Sequence, residues 1–242
     1  MFKKAMLICM ICLPMVSMIS CTPELQKILT DVLVGEEGLT EGQIGMGLKE
    51  ALTQGISKGA DLVSKTDGYY KNEAIKVLFP PQAAKIEKKM RDLGLGSLVD
   101  GVVEKLNRAA EDAAKGAKPI FISSIKQMTI KDASNILMGG QQDAATSYLK
   151  TTTSDQLYQS FSPVITTSLK KVKALDKWED IVTKYNRIPF VEKINPDLND
   201  YVTNRAMDGL FFMIQKEEAK IRVDPIARGT ELLKKVFAKQ DK

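Results

Sequence analysis

Histidine is absent from this 242-residue chain, and its three cysteines all lie within the first 21 residues. Without histidine the chain lacks the commonest general base at neutral pH and the commonest protein ligand for metals. Because Cys9, Cys12 and Cys21 are the only cysteines, residues after Cys21 cannot supply a thiolate metal site, a disulfide or a cysteine nucleophile. We expect no metal and no cofactor, and we assign no catalytic residue.

The excess of basic over acidic residues is also small. The chain has 35 basic and 30 acidic residues, for a net charge of +5. Without Lys3 and Lys4, which lie at the start of the chain, the balance is 33 against 30, or +3. Binding to nucleic acid needs basic residues clustered on one face, so we expect no nucleic-acid partner. The apolar share of 44% and the charged share of 27% are typical of globular domains.

Alternating strand patterns are nearly missing. The one candidate strand, residues 75–79, precedes Pro80-Pro81 and has no second strand to pair with, so we interpret it as an extended connector or a short helix end. Apolar residues recur instead at helical spacing along most of the chain. We therefore predict an all-α fold, with a single domain of roughly ten helices over residues 41–242 and no significant sheet.

Several short patterns predict where the helices begin and end. Thr40 with Gln43, and Thr129 with Asp132, have the spacing of a capping box at a helix start. Pro119 predicts the end or a kink of a helix that Ser97 caps.

Polar residues divide the second half of the chain. The run at residues 151–154 predicts a loop between a helix over 141–150 and another over 155–173. The last helix follows Asp224-Pro225 and carries Arg228 with several lysines opposite its apolar stripe. Such a face can touch an anionic membrane, but a solvated outer face is favoured.

The first 21 residues have the pattern of an export leader. Lys3-Lys4 precedes an apolar run over 5–18, which is short for a membrane span and right for a secretory signal. Met18-Ile19-Ser20-Cys21 resembles the bacterial lipobox. On that resemblance residues 1–20 are a signal peptide and Cys21 is acylated. Residues 21–40 then form a tether, in which Thr22-Pro23 and an apolar stripe from Leu25 to Leu33 predict a short helix.

Acylation implies a location, because several acyl chains on one residue anchor a protein stably to a membrane. We expect a periplasm-facing lipoprotein of the bacterial cell envelope, with its membrane partner bound through Cys21. Thr22 rather than aspartate after the cysteine favours the outer membrane in the enterobacterial sorting pattern. The alternative is a secreted soluble protein with an ordinary cleavage site nearby.

Polar residues among small ones near the middle and end of the chain form two candidate sets. Paired carboxylates can hydrolyse a glycosidic bond, and the carboxylates to consider are Glu111, Asp132, Asp143, Glu217 and Glu218. The structural interpretation is favoured, in which Arg108 and Arg222 pair with carboxylates one turn away and Asp132 caps a helix. The full candidate set for a buried polar network or ligand site is Asn107, Arg108, Glu111, Asp132, Thr146, Tyr148, Arg205, Asp208, Glu218 and Arg222.

Seven short motifs, some of which contain these candidates, follow one another along the chain. They are Asn107-Arg108-Ala109-Ala110-Glu111, Met128-Thr129 with Asp132-Ala133, Ala144-Ala145-Thr146 with Tyr148, Tyr201-Val202-Thr203, Asp208-Gly209-Leu210-Phe211, Glu217-Glu218 with Ile221-Arg222, and Leu232-Leu233 with Val236-Phe237. From about Gly47 to Phe237 the chain resembles the bacterial family called domain of unknown function 4197. The resemblance implies an all-helical envelope protein, often with an export or lipoprotein leader, and no established activity.

These observations favour a lipid-anchored envelope protein without catalytic activity. We expect a binding or scaffold module for a partner protein or an apolar ligand. The alternative is an envelope hydrolase that acts on a glycan through two carboxylates.

Overall fold

The computed structural model describes residues 40–171 and 197–238, together with the single positions 182, 183, 186, 187, 189, 190 and 193. The leader, Cys21 and the tether helix lie outside the described residues. The described residues belong to one compact unit, Leu39–Lys242. No helix among them has the length and apolar character needed to cross a membrane.

Eight α-helices make up the described part of the chain, which contains no strand, so the all-α prediction is confirmed. Two 3₁₀ turns, Pro81–Ala83 and Pro225–Ala227, precede the second and the last helix. The helices are α1 (Glu41–Val63), α2 (Ala84–Asp92), α3 (Gly96–Ala114), α4 (Ala117–Gln127), α5 (Ile130–Met138), α6 (Ala144–Leu169), α7 (Leu198–Val223) and α8 (Glu231–Ala238).

The long helix α7 lies at the centre of the packing. It contacts α6, α1 and α3, while α1 also contacts α4, α5 and α8. The aromatic rings of Phe121 on α4 and Phe211 on α7 meet edge to face, with their centroids 5.8 Å apart. Leu106 on α3 and Leu157 on α6 are fully buried in the same core. Burial of apolar side chains between these helices is the main stabilising term of the fold.

Both predicted capping boxes are present. Thr129 Oγ1 accepts a hydrogen bond from Asp132 N at 3.1 Å, and Asp132 Oδ2 accepts one from Thr129 N at 3.0 Å. Thr40 and Gln43 make the same reciprocal pair at the start of α1. Each box satisfies backbone donors that the first turn of a helix leaves without an internal acceptor.

The loop predicted at residues 151–154 is wrong, because α6 runs through it without a break. The hydroxyls in this run donate to carbonyls one turn earlier, Thr153 to Leu149 at 2.6 Å and Ser154 to Lys150 at 2.6 Å. Hydroxyl groups that bond the backbone of their own helix no longer compete with the helical conformation. The polar run therefore stays inside the helix.

The break near Pro119 is displaced from its predicted place. Helix α3 ends at Ala114, and Pro119 lies in the first turn of α4, where its missing N–H costs nothing. Ser97 does not cap α3 either. The N-cap is Leu95, which makes no side-chain capping bond.

The segment over residues 64–80 connects α1 to the first 3₁₀ turn without forming a strand, which confirms the predicted connector. Its Tyr69 ring is fully buried against α7. A methyl group added at Gly209 of α7 would lie 2.7 Å from Tyr69 Cε1 and 3.1 Å from Ile75 Cβ. The missing side chain of Gly209 therefore allows the connector to lie directly on the helix.

We predict that Gly209→Ala destabilises the protein by about 1–3 kcal/mol, since the added methyl group overpacks a buried contact. Gly101→Ala is the matched control, because nothing lies within 4 Å of a methyl group at that position in α3. The control should gain up to about 1 kcal/mol from better helix propensity. Chemical denaturation measures both, and equal effects of the two substitutions would contradict the close contact.

Candidate functional site

Glu111 of α3 is the central acceptor of the predicted polar set. The residue is 4% exposed, and its Oε1 accepts hydrogen bonds from the backbone N–H groups of Tyr69 at 3.1 Å and Tyr70 at 3.2 Å. Its Oε2 accepts from Arg108 Nη1 at 2.8 Å. A buried carboxylate is tolerated only when its charge is paired and its lone pairs are used. Glu111 meets both conditions while it holds the turn of the connector.

Arg108 of the same helix also binds this turn. Its Nη2 donates to Asp67 Oδ1 at 2.7 Å, and its guanidinium lies 5.3 Å from the centre of the Tyr70 ring. Hydrogen bonds with Glu111 and then with Asp67 hold the pKa of Arg108 above its ordinary value, although burial acts in the opposite direction. Asp67 adopts a left-handed backbone conformation with φ +68°, which reverses the chain after α1.

Asn107 binds the connector farther along. Its Oδ1 accepts from Val77 N at 2.8 Å, and its Nδ2 donates to Val77 O at 2.8 Å and to Val103 O at 2.7 Å. The side-chain amide therefore replaces the strand partner that Val77 lacks. Because Asn107 is completely buried and these three bonds use both ends of its amide, it leaves no group free for a ligand.

Tyr69 fixes the connector to α7. Its hydroxyl donates to the carbonyl of Ala206 at 2.7 Å. Burial, and then the nearby charge of Glu111, raise the pKa of the Tyr69 hydroxyl well above its ordinary value, so it remains a donor. We call the contacts of Asn107, Arg108 and Glu111 with residues 67–77 the connector clamp.

Glu218 of α7 performs a second structural task, at the start of α6. Its carboxylate accepts from the backbone N–H groups of Ala145 at 3.0 Å and Thr146 at 2.8 Å, and from the Thr146 hydroxyl at 2.7 Å. The residue at the N-cap itself, Asp143, makes no side-chain capping bond. Glu218 therefore caps α6 from a neighbouring helix, where a negative charge also opposes the positive end of the helix dipole.

Arg222 completes this arrangement. Its Nη2 donates to Glu218 Oε1 at 2.8 Å and to the carbonyl of Ile136 at 3.1 Å. Ile136 lies in the last turn of α5, whose final carbonyls have no partner within that helix. The Glu218–Arg222 pair thus links the end of α5 to the start of α6. We call it the helix-start clamp.

Glu217 lies beside Glu218 but has different partners. It forms ion pairs with Lys58 of α1 at 3.2 Å and with Lys220 one turn along α7. Burial raises the pKa of Glu217, but the hydrogen bonds from Lys220 and Lys58 lower it by more, so the pKa falls below its ordinary value.

The remaining candidates lie apart from the two clamps. Asp132 caps α5, and Tyr148 is half-buried on α6 against the core. Arg205 and Asp208 form a long ion pair of 3.4 Å on the surface, where both side chains are about half exposed. The predicted set is therefore several separate structural contacts rather than one network.

An open groove of about 550 Å³ lies between α1, the end of α4 and the segment before α8. Its lining includes Lys49, Thr53, Gln54 and Ser57 of α1, and the amino group of Lys49 donates to the carbonyl of Lys126 at 3.3 Å across one edge. The volume lies within the range of small-molecule sites. None of the sequence candidates lines this groove.

The family of the chain follows from comparison with known proteins. The family described as Protein of unknown function (DUF4197) matches residues 38–238, which is most of the chain. The chain belongs to this family. Neither a curated protein nor a solved structure matches it.

In this DUF4197 chain, three of the motifs that carried the resemblance supply the clamps. Asn107-Arg108-Ala109-Ala110-Glu111 holds the connector, and Ala144-Ala145-Thr146 binds Glu218, which pairs with Arg222. Within the described residues, no group of three histidine, cysteine or acidic side chains could hold a metal ion.

Sequence reasoning placed Arg228 on an exposed basic face, and this was wrong. Arg228 is 1% exposed and donates to the carbonyls of Ile221 at 3.0 Å and Arg222 at 2.9 Å. Its guanidinium also lies 5.4 Å from the centre of the Phe237 ring. An arginine soon after a helix end can bond the last carbonyls of that helix, and this position was the available clue.

We predict that Arg108→Leu lowers the free energy of unfolding by roughly 1.5–3 kcal/mol, because it removes charged hydrogen bonds and leaves Glu111 buried without a cation. Arg205→Leu is the matched control. It removes the same kind of pair three residues apart, but on the surface, where such a pair contributes about 0–1 kcal/mol. Urea denaturation at neutral pH gives both values. A clamp variant no less stable than the control would contradict the structural role.

We also predict that Glu217 stabilises the protein in a pH-dependent way. Its pKa in the folded protein lies below the ordinary value of 4.5, so its contribution is present above that value and is lost as the pH falls through the folded pKa. Glu217→Gln should therefore cost most at neutral pH and progressively less below about pH 4.5. Denaturation curves of both proteins over this range measure the difference, and a cost that grows in acid would contradict the assignment.

Proposed function

We propose that this protein is a lipid-anchored, non-catalytic binding or scaffold module of the bacterial cell envelope. The observation that carries the non-catalytic part is the state of the buried carboxylates. Glu111, Glu217 and Glu218 are 4%, 3% and 7% exposed, and each has a cationic partner. A carboxylate whose charge is already paired and whose oxygens hold the fold together cannot exchange a proton with a substrate without weakening the fold.

Support for the anchor comes from the leader. A basic start, an apolar run of signal-peptide length and Met18-Ile19-Ser20-Cys21 together resemble a lipoprotein export signal. Acylation of Cys21 would hold the domain at a membrane surface, with the outer membrane as the favoured destination. The absence of cysteine after this position agrees with a single role for the thiol.

Support for binding comes from the groove beside α1. It presents hydroxyl groups from Thr53 and Ser57, an amide from Gln54 and the apolar edge of Ile125. Buried Arg228 bonds the end of α7 and so fixes the segment that forms one wall. A fixed groove with mixed polar and apolar lining suits a segment of a partner protein or a small amphipathic ligand.

The alternative function, a glycan hydrolase with paired carboxylates, has less support. Such an enzyme needs two carboxyl groups that face one open cleft, one of them with a raised pKa. Glu111 is bonded to the connector and Glu218 to the start of α6, while the pKa of Glu217 is lowered. Release of sugar fragments from cell-wall glycan, abolished by Glu217→Gln, would favour the hydrolase.

We predict that the natural protein is recovered in the membrane fraction with an acylated Cys21 at its N-terminus. Cys21→Ser should move it to the soluble or precursor fraction, because no acyl chain can be attached there. Cell fractionation and intact-protein mass spectrometry measure both results. An intact Met1 with an unmodified Cys21 would contradict the anchor.

The same membrane preparation tests binding. Native mass spectrometry of the wild-type protein should detect a bound partner or ligand, and Ser57→Trp should remove most of it by filling the groove. Ser123→Trp is the control, since Ser123 is exposed on α4 and does not line the groove. Wild-type protein that carries nothing, or equal binding by both variants, would contradict the groove as the binding site.

A further inference from the structure

Backbone hydrogen bonds fix the turn between α2 and α3, residues 91–98. Gly94 adopts φ +80°, its N–H donates to Arg91 O at 3.0 Å, and the N–H of Leu95 donates to Met90 O at 3.0 Å. This pair of bonds is the Schellman pattern that ends a helix. We call residues 91–98 the leucine corner, because three leucines project from it.

The leucines of this corner are exposed to solvent. Leu93 is 68% exposed, Leu98 47% and Leu95 43%. In the Schellman pattern the residue at Leu95 usually packs on the preceding turn, which accounts for that leucine. The Schellman pattern does not require an apolar residue at Leu93 or Leu98. A cluster of exposed apolar side chains on one short turn marks an interaction surface.

Helix α2 supplies the charge beside the corner. None of its residues is buried, and it has four basic residues, Lys85, Lys88, Lys89 and Arg91. Lys88 pairs with Asp92, and Arg91 pairs with Glu87 and with Asp100 of α3, so Lys85 and Lys89 carry the excess positive charge. The apolar residues of α2, Ile86 and Met90, are only half-buried. Basic residues on one face and apolar residues on the other are typical of helices that lie in a membrane interface.

We propose that the leucine corner inserts into the interface of an anionic lipid bilayer, with Lys85 and Lys89 of α2 against the headgroups. A protein partner is less suited, since a stable protein interface uses about 20–30 residues a side, more than residues 91–98 present. The contact is separate from the proposed anchor at Cys21. Where the anchor is present, it keeps the bilayer at high effective concentration, so a weak insertion suffices.

The test uses the chain from Thr22 onward, which has no cysteine and keeps the whole compact unit from Leu39. An environment-sensitive fluorophore is attached at Ser97→Cys in the corner, or at Gln141→Cys in the exposed loop after α5. Vesicles of phosphatidylglycerol and phosphatidylcholine should shift the corner label to an apolar emission and leave the loop label unchanged. Vesicles of phosphatidylcholine alone should produce little shift.

Substitution of the leucines separates insertion from folding. The double variant Leu93→Gln with Leu98→Gln should bind the anionic vesicles roughly tenfold or more weakly. Each substitution removes the free energy gained when a leucine side chain moves from water into the bilayer interface. Its thermal stability should be unchanged, since both side chains are exposed and glutamine suits helices. Val223→Gln with Ile226→Gln is the matched control and should bind normally, because these residues are 76% and 91% exposed at the C-terminal end of α7 and in the 3₁₀ turn after it.

Three results would overturn the proposal. They are a corner label that stays in water with anionic vesicles, a leucine variant that binds like the wild type, and a label shift that appears at high protein concentration without vesicles. The third result would assign the corner to self-association. The shortened test chain lacks Cys21, so an unmodified Cys21 in the natural protein would contradict the anchor without affecting this test. The anchor and the insertion of the corner can therefore fail separately.

Discussion

The structure depends on one constraint, that a carboxylate taken out of water must be given donors and a cation. Glu111 and Glu218 meet it in the same way, with two backbone N–H groups and one arginine each. In both cases the N–H groups lie where regular structure leaves donors without partners, in a turn and at a helix start. Two buried charges therefore hold two irregular parts of the chain.

This arrangement also bears on function. The motifs that relate the chain to its family contain arginine, glutamate, asparagine and threonine, which are common in active sites. In the clamps these residues bond backbone groups and one another, as buried polar networks that specify a packing do. The side chains that are accessible for binding lie elsewhere, in the groove beside α1 and at the leucine corner.

The sequence predicted what is decided locally. Capping pairs such as Thr129 with Asp132 depend on residues three positions apart, and helical spacing predicted the fold class. Glu218 caps a helix through Ala145, which lies 73 positions earlier in the sequence, and this spacing leaves no local pattern. The threonine run of α6 was misjudged because its hydroxyls bond their own helix. Arg228 was placed in solvent because its acceptors lie on the preceding helix.

Amide hydrogen exchange tests the clamps most directly. The amides of Tyr69, Tyr70 and Val77 lie in a connector, and those of Ala145 and Thr146 in the first turn of a helix, where amides usually exchange fast. The two clamps predict that these five exchange nearly as slowly as the core of α7 and become fast in Glu111→Ala, Asn107→Ala or Glu218→Ala, each at its own contacts. Fast exchange at all five in the wild-type protein would contradict the account.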